Sequence, residues 1–475
     1  MKTQMHHVNI FTVGHRPEEY QYHPVESKDS ARQRPIQLEV LMKSFVSALG
    51  MATAAFAVAN SASAADLPSR KSAPVEYVRV CTAYGAGFFY IPGTDTCLRI
   101  GGRVRAEYMF DQPYSRNVDA SGFRARGRLN IDTRTATAYG TLRAFIRYDI
   151  NRDSGPYRVP YATFQTVSAS NTTFLDKAFI QFGPITAGRA QSFFDFYAND
   201  LNWGLLRGPD SSTQLFAYTA NFGGGFSATL SAEDGAERRF NTFDNVPFGP
   251  TVSTGGNRMP DIVANLNITQ GWGSAQLSGA LHQITTASGN TSVKLDTEYG
   301  FAGLAGLKLN LPMLAQGDVF WLQGVYAEGA SSYLGAGTYG SFTNNNPVQI
   351  GGVLVNAFDA VAIPNSATTA TLKKTRGYAL TAALLHYWTP SVRQTLFGSY
   401  LNVENASTTN VTDFKEYRVG SNLIWSPVSG LDIGVEVLYT KLDPKGRVAD
   451  INRGGAFTLA SSDAVSARLR VQRDF

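Results

Sequence analysis

From Leu98 to Asn151 apolar and polar side chains alternate in three consecutive blocks. In Leu98–Phe110 one set is Ile100, Gly102, Val104, Ala106, Tyr108 and Phe110, and the other is Arg99, Gly101, Arg103, Arg105 and Glu107. Phe123, Ala125, Gly127, Leu129 and Ile131 then alternate with Arg124, Arg126, Arg128, Asn130 and Asp132. After the turn Ala138–Gly140, Leu142, Ala144, Ile146, Tyr148 and Ile150 alternate with Thr141, Arg143, Phe145, Arg147 and Asp149. A strand points successive side chains to opposite faces, so the blocks predict three strands with an apolar face and an arginine-rich face. A soluble sandwich would satisfy these three strands equally well. The rest of the chain decides: the two-residue period recurs to the last residue, with no helical pattern to cover a sheet. That favours a closed transmembrane barrel whose apolar face meets lipid and whose charged face lines water.

Cutting at turns and period-2 blocks gives sixteen strands. The later ones are expected at Thr172–Gly183, Pro184–Tyr197, Thr213–Phe222, Gly225–Ala232, Met259–Gln270, Trp272–Ile284, Val293–Leu309, Gln316–Ala330, Lys373–Trp388, Ser391–Val403, Asp413–Ser426, Leu431–Leu442 and Ser461–Phe475. Tight turns such as Gly183-Pro184, Gly223–Gly225, Thr389-Pro390 and Pro427–Gly430 alternate with long polar segments such as Asp153–Asn171, Gly235–Arg258, Ser331–Leu372 and Asp443–Ala460. Short turns on one side and long loops on the other are the asymmetry of outer-membrane barrels.

Composition agrees. Of 475 residues 43% are hydrophobic, because alternation averages the lipid face away. The net charge of +5 raises nucleic acid as a partner. The bases, however, sit at alternate strand positions beside acids and form no cluster, so no nucleic-acid partner is expected. Residues 1–41 resemble neither a fold nor an address and read as a non-structural upstream segment: translation is expected to begin at Met42, or everything before about Ala65 to be removed. Residues 42–64 form a secretory signal: Lys43, the apolar run Phe45–Ala59, and Ala62-Ser63-Ala64 as cleavage site. Residues 65–97 then form a periplasmic tail and a loop between Cys81 and Cys97, and 98–475 the barrel. Two cysteines in an exported chain, separated by Gly- and Pro-bearing sequence, read as one disulfide. A redox or metal pair is the alternative, weakened by a spacing that is not CxxC and by the lack of a nearby histidine.

The signal ending before Ala65-Asp66-Leu67-Pro68, the block Cys81–Gly102 (CTAYGAGFFYIPGTDTCLRIGG) and the terminal Phe475 resemble the general porins of alphaproteobacteria. The resemblance implies a 16-stranded antiparallel barrel, usually a homotrimer, with the third external loop folded into the lumen. In this chain that loop follows Gly188–Tyr197. It combines Leu201, Trp203, Leu205 and Leu206 with Asp200 and Asp210, so its apolar residues are expected to anchor on the inner wall and these carboxylates to face the pore, with Asp195 a further constriction-loop residue. Opposite them would stand Arg103, Arg105, Arg124, Arg126, Arg128, Arg143 and Arg147, some of them pairing with Glu107, Asp132 and Asp149 as wall structure. Cations facing carboxylates across a narrow gap make a transverse field. The last strand sets Val465, Ala467, Leu469, Val471 and Phe475 against Ser466, Arg468, Arg470 and Gln472. It ends in an aromatic residue, as do the assembly signals that barrels present to their insertion machinery.

An enzyme reading lacks parts. After the leader only His282 and His386 remain, with no nucleophile block and no metal-ligand spacing around them. The expected function is therefore an outer-membrane channel for passive diffusion of small hydrophilic solutes and ions. Its surroundings would be membrane lipid and lipopolysaccharide, and it needs no cofactor or metal. A channel selective for anions or sugars, and a plugged adhesin or structural barrel, are the alternatives.

Overall fold

The computed structural model describes residues 79–475 except 114–115, 117, 159–168, 241, 247–248, 254, 287–296, 337–347, 366–369, 407–411 and 451–456. The upstream segment and the secretory signal lie outside the described residues, as does the start expected for the strand at Val293. Among the described residues sixteen antiparallel strands form one closed sheet. In chain order they are β1 (Cys97–Asp111), β2 (Ser121–Thr137), β3 (Gly140–Asp153), β4 (Ser170–Phe182), β5 (Ile185–Gln191), β6 (Ser212–Gly223), β7 (Phe226–Glu233) and β8 (Asp261–Gln270). There follow β9 (Gly273–Ile284), β10 (Glu298–Asn310), β11 (Val319–Glu328), β12 (Arg376–Thr389), β13 (Val392–Glu404), β14 (Phe414–Val428), β15 (Leu431–Pro444) and β16 (Ser462–Asp474). Each pairs with the next, and β16 pairs back onto β1, with Arg103 opposite Asp474 and Phe110 opposite Ala467.

Side-chain alternation sets the two faces. Ile100, Val104, Phe123, Ile146, Leu266, Leu277, Leu380 and Val419 are exposed, while Glu107, Asp149, Asn265, Gln276, Thr381 and Glu436 are buried. A closed sheet with its apolar face exposed carries its polar face inside. Aromatic rings collect at the strand ends. Tyr378, Tyr400 and Tyr417 stack in a row at 5.7 and 5.0 Å on one rim, and Trp388 meets His386 edge-on at 4.6 Å on the other. Amphipathic rings settle at the two membrane interfaces. Gly183 (φ 57°) and Gly430 (φ 75°) occupy tight turns in the left-handed region, where residues with a Cβ are strained.

Ahead of the barrel Cys81 and Cys97 form a disulfide with Cα atoms 5.9 Å apart. Its loop docks on β2, where the Arg134 guanidinium lies 5.0 Å from the Phe88 ring.

Two expectations change. The fifth strand ends at Gln191 and not Tyr197, because Ser192 Oγ and the Phe193 amide both donate to Glu233 on β7 and turn the chain off the sheet. Among its described residues Ser331–Leu372 is no free polar loop. Tyr333, Leu334, Val353, Val355 and Phe358 are buried, and most of them join a cluster with Phe194, Leu304, Val325 and Leu401. Burying that apolar surface outweighs leaving the loop solvated.

Candidate functional site

The segment between β5 and β6 runs along the polar face of half the barrel. The Asn265 amide donates to the Phe193 carbonyl (2.6 Å), the Tyr197 amide to Gln323 (3.0 Å), and the amides of Trp203 and Gly204 to the Glu436 carboxylate (2.7 and 2.6 Å). These partners stand on β8, β11 and β15, so the segment is tied to the wall at three strands. Inside it Asn199, a non-glycine residue in the left-handed region (φ 53°), accepts from the Leu206 amide and donates to Asp210. Asn tolerates that region better than most residues. Leu206 and Tyr197 pack with Ala383, Phe397 and Leu438. Leu205, expected among the anchors, is instead exposed at 43%.

The three carboxylates of the segment separate. Asp200 and Asp210 line a cavity of about 630 Å³. Asp195 does not: its side chain is 1% exposed, 2.6 Å from Arg238, and accepts from the Ser211 amide. It locks the two ends of the segment together. Asp210 is open to lumen water yet closely surrounded by protein. Desolvation pushes its carboxyl up to about 6, helped by Asp195 and Asp200 and opposed by hydrogen bonds from Asn199 and Gln191.

Across the cavity stand Arg103, Arg105, Arg126, Arg128 and Arg147, joined by Arg393 and Arg470, which the sequence reading missed. Arg124 and Arg143 belong elsewhere. Arg124 lines a second cavity of about 440 Å³ on the long-loop side, with its guanidinium bonded to Asp153. Arg143 lines neither cavity and holds Asp132 near the short-turn rim. Both are displaced by one or two rungs of strand register, which the alternation pattern does not encode. Arg105, Arg126, Arg470 and Trp203 line both cavities and mark where they meet, with the Arg470 guanidinium 4.2 Å from the Trp203 ring. Of the acids expected to pair with the arginines, Asp132 and Asp149 bond Arg143 and Arg128, and Glu107 bonds Arg470. The two histidines are structural in setting: buried His282 lies 2.8 Å from Asp261, and His386 2.6 Å from Asp318.

A closed sixteen-stranded antiparallel sheet with an apolar exterior and a charged interior defines a transmembrane β-barrel of the outer membrane. Residues 66–467 match the family described as the Porin subfamily, and the chain belongs to it. Among curated proteins, porin Omp2b of Brucella suis and of Brucella abortus are each 32% identical to it over 234 residues, 48% of this chain and 62% of theirs. The chain thus spans about 62% of the length of these relatives. The outer-membrane channel DcaP of Acinetobacter baumannii superposes with a TM-score of 0.58 at 15% identity, covering 81% of this chain and 99% of that one, a likeness of fold.

Proposed function

We propose that the chain is a diffusion porin: a water-filled channel through the outer membrane for small hydrophilic solutes and ions, with the segment 192–211 folded inward as its constriction. The observation that carries this reading is the pair of cavities meeting at Arg105, Arg126, Arg470 and Trp203, with arginines on the β1–β3 wall and Asp200 and Asp210 on the segment. Such a gap inside low-dielectric walls sustains a transverse field that orients dipolar solutes and hinders apolar ones. Rings of lumen charge bias ion selectivity. The resemblance to general porins supports a homotrimer, and the terminal aromatic strand supports recognition by the barrel-assembly machinery. The packing of Tyr333 and Leu334 with Phe194 of the segment favours one competing reading, a plugged structural barrel.

Single-channel recording of the purified protein in a planar bilayer under a salt gradient separates the two. Conductance steps in groups of three are expected, and neutralising Arg103, Arg105, Arg126 and Arg128 should move the reversal potential toward cations. A folded barrel that conducts nothing overturns the channel reading.

A further inference from the structure

Three rungs of inward side chains cross β16, β1, β2 and β3. The first reads Asp474, Arg103, Arg128, Asp149, and the third Arg470, Glu107, Arg124, Asp153. In both, every guanidinium meets a carboxylate. Arg103 Nε lies 2.5 Å from Asp474, Arg128 bonds Asp149 through two nitrogens, Arg470 bonds Glu107 at 2.7 Å and Arg124 bonds Asp153 at 2.7 Å. The middle rung reads Gln472, Arg105, Arg126, Asn151. Here amides replace the carboxylates: Arg105 Nε and Nη2 both donate to Gln472 Oε1, and Arg126 Nε donates to Asn151 Oδ1. The nearest acid, Asp149, is 3.7 Å from Arg126 Nη1 but is already held at two points by Arg128.

We propose that this rung is a binding site for a tetrahedral oxyanion of the phosphate type. Directly opposed side chains on paired strands have Cβ atoms about 5 Å apart, and like charges there repel. Guanidinium cannot discharge to relieve the repulsion, so the rung carries two positive charges with neutral partners on both flanks. Fixing the Nε edge of each fork with an amide orients it and leaves further N–H donors for the cavity. Two oriented forks match the several oxygens of phosphate, a bidentate geometry that a monatomic anion does not offer. The rung also stands where the two cavities meet, beside Trp203, so a passing solute must pass it. The site deepens the porin reading and rests on it only for the solute's route.

The test uses the full barrel with inorganic phosphate at low ionic strength. Equilibrium dialysis measures binding without requiring conduction, and single-channel recording in potassium chloride with added phosphate measures interruption of the current. The variant Gln472→Glu/Asn151→Asp keeps both arginines and gives the rung the carboxylates of its neighbours. About tenfold weaker phosphate binding is expected from it. The variant Arg105→Lys/Arg126→Lys keeps the charge and loses the forks, and should also weaken phosphate relative to chloride. Heat-dependent gel mobility checks that each variant is folded. Failure of the folded wild-type barrel to bind phosphate overturns the site, as does equal affinity in both variants. A wild-type barrel that binds phosphate and conducts nothing overturns the porin reading and leaves the site standing.

Discussion

Arg207 Nε lies 2.5 Å from Glu416 Oε2, and neither side chain is exposed. The pair joins the segment 192–211 to β14, and the same guanidinium donates to the Gly335 carbonyl at 2.7 Å, so one residue clamps both inward-packed segments. Removing one partner of a buried pair strands the other charge, at about 3–5 kcal/mol. Arg418 also bonds Glu416 at 2.7 Å and keeps it partly compensated, which places Arg207→Ala near the lower end. Faster chymotryptic cleavage within 192–211, at sites such as Phe196, Tyr197 and Trp203, and a flickering single-channel current are expected from that variant, with the barrel strands still protease-resistant.

Asp210 should make ion selectivity depend on pH. Its carboxyl, held up to about 6, is charged at pH 7 and neutral at pH 5. The lumen thus loses a negative charge on acidification, and the reversal potential should move toward anions between these values. Because the folded state binds this proton more tightly than an unfolded chain would, the residue destabilises the fold at neutral pH. That penalty fades as pH falls through about 6. Asp210→Asn should abolish the selectivity shift when potentials at pH 7 and pH 5 are compared.

The disulfide should govern the segment before the barrel and leave the barrel itself in place. It closes a loop of sequence separation 16, for which chain entropy gives about 3 kcal/mol. Cys81→Ser/Cys97→Ser should therefore speed hydrogen exchange of the Cys81 amide, bonded to the Phe88 carbonyl at 2.9 Å, by about a hundredfold. Exchange in β2 should stay slow.

Gly102 and Phe475 exchange two backbone hydrogen bonds, at 2.8 and 3.1 Å. A Cβ at position 102 would collide with the Arg128 carbonyl and press on the Phe475 ring. Gly102→Val is expected to lower the yield of heat-modifiable barrel, and so is deletion of Phe475. Full yield from the deletion would remove the aromatic terminus from assembly.

How much of this was legible in the chain depends on the range of the interaction. Alternation is local, so the faces of Ile100, Arg103 and Glu107 follow from the period alone. Pairing is not local. Arg103 finds Asp474 across 371 residues, and only closure of the sheet fixes which acid meets which arginine. That is why Arg124 and Arg143 looked equivalent to Arg126 and Arg128. Asp195 and Asp210 lie in one loop of similar composition, and their separation into lock and lumen charge is decided by the turn that Glu233 imposes at Ser192. Ser331–Leu372 read as a polar loop because its apolar runs, such as Val353–Val355 and Ala360–Ile363, are short and broken by Gly, Asn and Pro, so no strand-length alternation marks them.

The seam between β1 and β16 has a consequence for biogenesis. Its bonds join positions more than 350 residues apart, among them Gln112 and Val465. Until the last strand is placed, β1 presents an unpaired edge, the feature that makes incomplete sheets sticky. Sealing is thus an all-at-the-end event, and a chain truncated before residue 462 lacks the strand that closes the sheet. The middle rung needs Gln472 as well as Arg105, so it comes into being in the same moment as the watertight wall.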